Sequence, residues 1–491
     1  LNRENTTTAA EQRIIEASTQ GAIMKKSLLR AALVLASLLV SSIGYSQPLT
    51  PQQQQMREIY QELVEINTTD SAGDTTRAAR AMAARLKAGG YSDADMQVIV
   101  PPDGPKKGNL VARLKGSGGK KPLLLLAHLD VVEAKREDWE RDPFKLVEEN
   151  GFFHARGASD DKAMAAAFVA NMVRMKREGF VPNRDIILAL TADEEIIPSK
   201  FSGVEYLLKN HRNLIDAALA LNEGGSGLLD NNGKPLLFGI QAGEKVFQTF
   251  RLEVTNTGGH SARPSKDNAI YHLADGISKL AKFDFPFKVN EVTRSYMERT
   301  AALETGQLAA DKKAILQQPP DAQALARIND IPALNAMVRT TCVATMLDAG
   351  HATNALPQRA RAVVNCRILP NETVDEIEAT LVRVFANDKI RITRDGVAVP
   401  SPAPPLSPEI MRPVEEVTAQ MWPGTPVVPT MLVAATDGRF LNNAGIPTYG
   451  ITGQFHDIAG SNAHGLNERI RVKSLYDAHE FLYRLVKALG S

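Results

Sequence analysis

Three uninterrupted apolar runs, at residues 123–127, 186–190 and 217–221, constrain this chain more than any other feature, because each ends abruptly in a polar cluster. Such runs suit strands that are buried on both faces of a mainly parallel sheet. Between the first two, residues 161–179 are rich in Ala and Met and close on Lys176-Arg177-Glu178-Gly179. That pattern predicts a helix with a glycine stop. The alternation of strand and helix predicts an α/β layer architecture, a sheet flanked by helices.

The pattern changes after about residue 245. Residues 247–255 and 360–368 alternate apolar and polar, as half-exposed strands do, and Thr373-Val-Asp-Glu376 is a capping box ahead of a helix with Val374, Ile377, Leu381 and Val384 on one face. These features predict a small α+β domain inserted into the larger one, with helical decoration over 285–340. The run Val399-Pro-Ser-Pro-Ala-Pro-Pro405 marks the return, and an amphipathic helix is expected over 474–489. The expected layout is a catalytic domain in two parts, 47–244 and 398–491, around an insert at 245–397.

The N-terminus reads as an export signal. Met24-Lys25-Lys26 is basic, residues 31–40 are mostly apolar, and Gly44-Tyr45-Ser46 offers a cleavage site before Gln47. Residues 1–23 read as an upstream extension outside the mature protein, and 24–46 as a signal peptide. The apolar stretch is shorter than the roughly 18 residues of a membrane span. A secreted or periplasmic protein without a membrane anchor is expected. The net charge of +1 and the absence of a basic stripe argue against a nucleic-acid partner. Export would allow the only two cysteines, Cys342 and Cys366, to pair. They are equidistant from Asn354, so an antiparallel hairpin centred there would set them opposite one another. Two buried free thiols are the alternative.

Five polar clusters carry the chemistry. His128-Leu-Asp130, Asp160-Asp161-Lys162, Glu194-Glu195 and Asn222-Glu223 stand at expected strand ends, where open α/β sheets put their sites, and Ala463-His464-Gly465 lies near the C-terminus. Singly, each has an ordinary structural explanation: a hydrogen-bonded histidine, solvated loop charge, a helix cap. Together they supply imidazole and carboxylate donors without thiolate, a set suited to catalytic zinc or a similar divalent ion.

The residues His128-Leu-Asp130-Val-Val, Trp139, Asp142-Pro-Phe144, Gly151-Phe152 and Arg156-Gly-Ala-Ser-Asp160-Asp-Lys162 resemble the metallopeptidase family of glutamate carboxypeptidase, aminoacylase, carnosinase and succinyl-diaminopimelate desuccinylase. Thr191-Ala-Asp-Glu194-Glu195, Asn222-Glu223-Gly-Gly, Gly258-Gly-His260-Ser-Ala-Arg-Pro264, Thr353-Asn354-Ala-Leu-Pro357, Thr436-Asp-Gly-Arg439-Phe and Ala463-His464-Gly-Leu-Asn-Glu468-Arg469 continue the match in order. The similarity runs from about residue 55 to the end and is nearest the carboxypeptidase S-like or Gly-Xaa carboxypeptidase branch.

The resemblance implies two zinc ions, with cobalt or manganese as substitutes, bridged by Asp160. One would be held also by His128 and Glu223, the other by Glu195 and His464. It implies Asp130 as the acceptor that orients the His128 ring, Glu194 as general base, and His260 as oxyanion stabiliser, in dimeric members across the subunit boundary. Asn354 and Arg367 are implied as contacts of the substrate carboxylate, with Arg439 as a lesser candidate for that role or for packing. Asn365-Cys366-Arg367 departs from the Asp-x-Arg of many members. A cis peptide between Asp160 and Asp161 is also implied.

The expected function is metal-assisted hydrolysis of an amide bond beside a free carboxylate, in a short peptide or N-acyl amino acid, with the insert acting as lid or dimerisation domain and a homodimer as one possible assembly. A desuccinylase or deacylase of the same family, a catalytically silent metal-dependent binding protein, and an aminopeptidase of related fold are the alternatives.

Overall fold

In the computed structural model, which describes residues 48–196 and 198–491, the three apolar runs become adjacent parallel strands. Lys120–His128 lies between Arg184–Thr191 and Leu219–Asn222, within a ten-stranded sheet whose middle is parallel. Antiparallel strands Asn109–Leu114 and Met96–Ile99 extend it on one side, and Thr448–Gly450 leads to Pro235–Glu244 on the other. The middle strands are apolar on both faces because both are covered. The helix Lys162–Arg177, buried along nearly its whole length, packs on Lys120–His128 and on the C-terminal helix Val472–Gly490. Glu178 caps the former, and Gly179 takes the left-handed conformation (φ 68°) that ends it, as the sequence predicted.

The second sheet is antiparallel and has four strands, in the order Thr341–Ala349, Arg359–Ile368, Val246–Thr255, Arg391–Asp395. Its alternation is sharp: Phe250, Leu252, Val254, Ala360, Ala362 and Val364 pack under helices Ala269–Ala281 and Val374–Phe385, while Arg251 and Arg361 face outward. The capping box of Thr373 and Glu376 opens the second helix. Four short helices, from Glu291–Leu303 to Pro332–Met337, fill the stretch expected to be helical.

Cys342 lies directly opposite Cys366 and is disulfide-bonded to it. The hairpin is less regular than its symmetry suggested. A register shift falls between Ala344 and Met346, and Ala355–Leu356 turns aside to pair with Gly259–His260. The large sheet passes into the small one through a single residue, Lys245, between Pro235–Glu244 and Val246–Thr255. All of this belongs to the compact unit Gln52–Ser491. The proposed signal segment lies outside the described residues, and no described helix is long and apolar enough to cross a membrane.

Candidate metal and catalytic centre

Parallel neighbours end at the same edge of a sheet, and here that edge collects the expected donors. His128 closes its strand opposite Thr191, so the loop after Thr191 brings Glu194 and Glu195 beside it. Leu125 lies opposite Leu221 on the other flank, which delivers Glu223. Asp160 comes from the loop before the buried helix, with a cis Asp160-Asp161 peptide as implied. His464 comes from the loop between Phe455–His456 and Arg469–Arg471.

The two oxygens of Asp160 face different histidines. Oδ1 lies 3.1 Å from His128 Nε2, and Oδ2 lies 3.1 Å from His464 Nε2. His464 Nε2 is also 3.0 Å from Glu195 Oε2, and His128 Nε2 is 3.8 Å from Glu223 Oε1. Donor atoms of His128, Asp160 and Glu195 fall within 4.8 Å of one another, as do those of His128, Glu194 and Glu223. All five expected ligands therefore converge, with Glu194 against them.

The charges of this cluster fit cations. Burial pushes Glu223 well above the usual carboxylate range, and repulsion from Asp160 adds to it. Burial does the same to Glu194, reinforced by Asp437, Glu195 and Asp130. After burial, the strongest influences on both are other carboxylates and the single imidazole of His128. Asp161 has a buried oxygen, Oδ2, without a hydrogen-bond partner. A buried group of acids is costly unless cations or protons neutralise it, and here the acids raise the proton affinity of both His128 and His464. Nitrogen and oxygen donors without thiolate are compatible with zinc, cobalt or manganese.

Asp130 differs from its expected role. The main-chain carbonyl of Asp130, at 3.0 Å, accepts the hydrogen bond from His128 Nδ1, while its carboxylate stands 3.7 Å away. That carboxylate instead accepts the main-chain N–H groups of Glu194 (3.2 Å) and Glu195 (3.0 Å). The side chain projects across to the next strand's loop, so it sets the path of the two glutamates. Asp193, just before them, holds a left-handed conformation (φ 60°) and is tied to Lys107 at 2.7 Å and Ser199 at 2.7 Å.

The remaining expected residues are dispersed: Arg367 is on Arg359–Ile368, His260 on the two-residue ladder with Ala355–Leu356, Asn354 just before that ladder, and Arg439 in the helix Gly438–Asn443. His260 is exposed on Gly259–His260, its Nδ1 accepting from Ala262 N–H at 3.0 Å. Asn354 is its neighbour, its carbonyl accepting from Ser261 N–H at 3.1 Å. Arg367 is half-buried, its guanidinium 4.8 Å from the ring of Phe247, the residue opposite it in the sheet. Arg439 donates to the Thr436 carbonyl at 3.1 Å and lies 4.4 Å from the Phe440 ring, contacts that belong to packing. No hydrogen bond or ion pair joins His260, Asn354 or Arg367 to the acidic cluster among the described residues.

Sequence reasoning assigned no role to three buried acids that shape this centre. Asp437 accepts from Thr191 Oγ1 at 3.4 Å, and burial raises it to about 7. Glu244 accepts from Ser401 Oγ (2.8 Å) and from Thr436 N–H (2.7 Å), and Thr436 Oγ1 in turn accepts from Asn222 beside Glu223 (3.2 Å). Glu468 accepts main-chain N–H groups from the Asp160 loop. Glu244 stands alone in the sequence without a recognisable spacing, and Asp437 was visible only inside the Thr436-Asp-Gly-Arg439 motif. Glu468 was visible only as a member of the His464 motif.

The pattern of peptidase family M20/M25/M40 matches residues 124–488. The mouse N-fatty-acyl-amino acid synthase/hydrolase PM20D1 is 29% identical over 381 residues, 74% of each chain. The probable carboxypeptidase S-like 2 of Dictyostelium discoideum is 28% identical over 382 residues, 75% of this chain and 71% of that one. Among solved structures, the M20 family metallo-carboxypeptidase Sso-CP2 of Sulfolobus solfataricus superposes with a TM-score of 0.65 at 19% identity, over 90% of this chain and all of the other. With the family pattern spanning most of its length and the expected donors gathered at one sheet edge, this chain belongs to peptidase family M20/M25/M40 and is a metallopeptidase-family hydrolase.

Proposed function

We propose that the protein hydrolyses an amide bond next to a free carboxylate, in short peptides or N-acyl amino acids, with two zinc ions held by His128, Asp160, Glu195, Glu223 and His464. The observation that carries this reading is Asp160, whose two oxygens address His128 and His464 separately at equal distances of 3.1 Å. Bound cations would supply Lewis-acid polarisation of the scissile carbonyl and a more acidic attacking water.

Glu194 is the general base. It is buried, its main chain is fixed by Asp130, and its raised proton affinity suits it to take the water's proton and return it to the leaving amine. His260 is the oxyanion donor, and Asn354, whose carbonyl accepts from the Ser261 N–H next to it, binds the substrate carboxylate with Arg367. Residues 245–397 form the lid that brings these groups to the cleft, and a homodimer is one assembly that would do so. The segment 24–46 directs export, which agrees with the disulfide between Cys342 and Cys366. The likeness to PM20D1 supports N-acyl amino acids as substrates, and the likeness to carboxypeptidase S-like 2 supports peptides.

Metal analysis together with hydrolysis of dipeptides and N-acyl amino acids, each with free and blocked carboxylate, tests the reading. The expected result is two zinc ions per chain, turnover that requires the free carboxylate, and a loss of about 10²- to 10⁴-fold in Glu194→Gln with both zinc ions retained. Full activity in that variant would remove the general base. Turnover of carboxyl-blocked substrates that needs a free amine would make the protein an aminopeptidase, and zinc binding without turnover a binding protein.

A further inference from the structure

Glu468 is fully buried and its carboxylate is saturated with donors from one short loop. Oε1 accepts the main-chain N–H groups of Ser159 (2.8 Å) and Asp160 (3.0 Å). Oε2 accepts the N–H of Gly157 (3.0 Å) and Arg156 Nη1 (2.8 Å). Arg156 is equally buried, and its guanidinium stands over the Trp139 ring at 5.0 Å. Its other nitrogen, Nη2, donates to the Gly465 carbonyl at 2.8 Å and to Glu133 O at 3.5 Å. One ion pair thus fastens the loop that carries Asp160 to the loop that carries His464.

The second loop needs such a fastening. The His464 side chain is 59% exposed, so packing does little to fix it. Its backbone is left-handed (φ 62°). Three of the four loop donors to Glu468 lie within the four residues that end at Asp160, and the Arg156 anchor on Gly465 is one residue from His464. Buried ion pairs add little net stability over apolar replacements, which makes fixed geometry the better account of this one.

We propose that Glu468 and Arg156 are positioning residues that set the separation of Asp160 from His464, and through it the affinity of the cation shared by Asp160, Glu195 and His464. The inference rests on the two-cation reading above. Arg156→Lys keeps the charge but loses the fork, so one ammonium cannot reach both Glu468 and Gly465 as the guanidinium does. The His464 loop then loses its anchor while the acid cluster stays whole. Glu468→Asp keeps the charge and withdraws the carboxylate by one methylene from the N–H groups it holds, so it disturbs Asp160, the ligand common to both ions.

Zinc affinities of the two sites are read by competition with a chromophoric chelator, alongside thermal unfolding in EDTA. In Arg156→Lys one zinc should bind 10- to 100-fold more weakly while the other is unchanged, and in Glu468→Asp both should weaken. The melting temperature in EDTA should fall less than the zinc-dependent part of the stabilisation. Affinities of both zinc ions within twofold of the parent in either folded variant would overturn the proposal, as would equal weakening of both sites in Arg156→Lys. Should Arg156→Lys fail to fold, Glu468→Asp alone decides it. A parent protein that binds fewer than two zinc ions would instead overturn the two-cation reading.

Discussion

His464 Nε2 stands 3.0 Å from Glu195 Oε2, joining a loop near the end of the chain to one that follows a central strand. Hydrogen bonds to Asp160 and Glu195 push this histidine up to about 10, so without cations it is protonated at pH 7. The attraction is fully present below the ordinary value of 6.5 and fades as the pH rises through about 10. A cation must displace that proton. Zinc binding at pH 7 should therefore release protons, measured as a dependence of the binding heat on the ionisation enthalpy of the buffer. Equal heats in phosphate and Tris would contradict this.

Gly450 closes the floor under Glu223, one of the proposed ligands. A Cβ there would stand 2.4 Å from the Glu223 carbonyl oxygen and 2.8 Å from the Gln241 side chain. Gly450→Ala should destabilise the fold by about 1 to 3 kcal/mol and lower zinc affinity together, because the displaced backbone is that of Glu223. Chemical denaturation with and without EDTA separates the two effects.

The disulfide closes a loop with a sequence separation of 24. Its loss should cost roughly 3 kcal/mol, chiefly by freeing the unfolded chain. Denaturation of Cys342→Ser/Cys366→Ser against the parent measures this. The zinc stoichiometry should be unaffected, since none of the proposed ligands lies in the small sheet.

His479, on the C-terminal helix, is held neutral by burial, and Arg174 adds to the effect, which brings it to about 4. The unfolded chain binds this proton from about pH 6.5 downward. Its contribution is thus full above 6.5 and is lost as the pH falls toward 4, by about 3 kcal/mol in all. His479→Gln in EDTA should flatten the acid limb of stability over that range. Parallel pH profiles for the two proteins would contradict the assignment.

Much of the candidate centre was legible because three of the proposed ligands follow strands whose apolar runs are visible. Once three runs are read as adjacent parallel strands, His128, Glu195 and Glu223 must share an edge. The proposed bridging place of Asp160 came from resemblance, and so did the partnership with His464. Asp160 was expected at a strand end but lies between Phe152–His154 and the helix Lys162–Arg177, off the large sheet. Asp130 was misread for a physical reason. The resemblance assigned its carboxylate to the His128 ring, but the carboxylate reaches instead to main-chain N–H groups beyond the neighbouring strand. Backbone donors have no sequence signature, and the same holds for Glu468 and Glu244. The hairpin symmetry about Asn354 found the cysteine pair, yet not the register shift near Met346 or the turn of Ala355–Leu356 toward His260.

The single residue between Glu244 and Val246 also bears on how such a chain can change over time. The outgoing strand and the returning segment at Ser401 are stapled to each other by one carboxylate. The helical stretch between them still braces the large sheet, since Glu291–Leu303 packs on Val427–Leu432 and Arg299 donates to the Val427 carbonyl at 2.7 Å. The four-stranded sheet carries none of the proposed ligands, so change confined to it can accumulate without moving any of them.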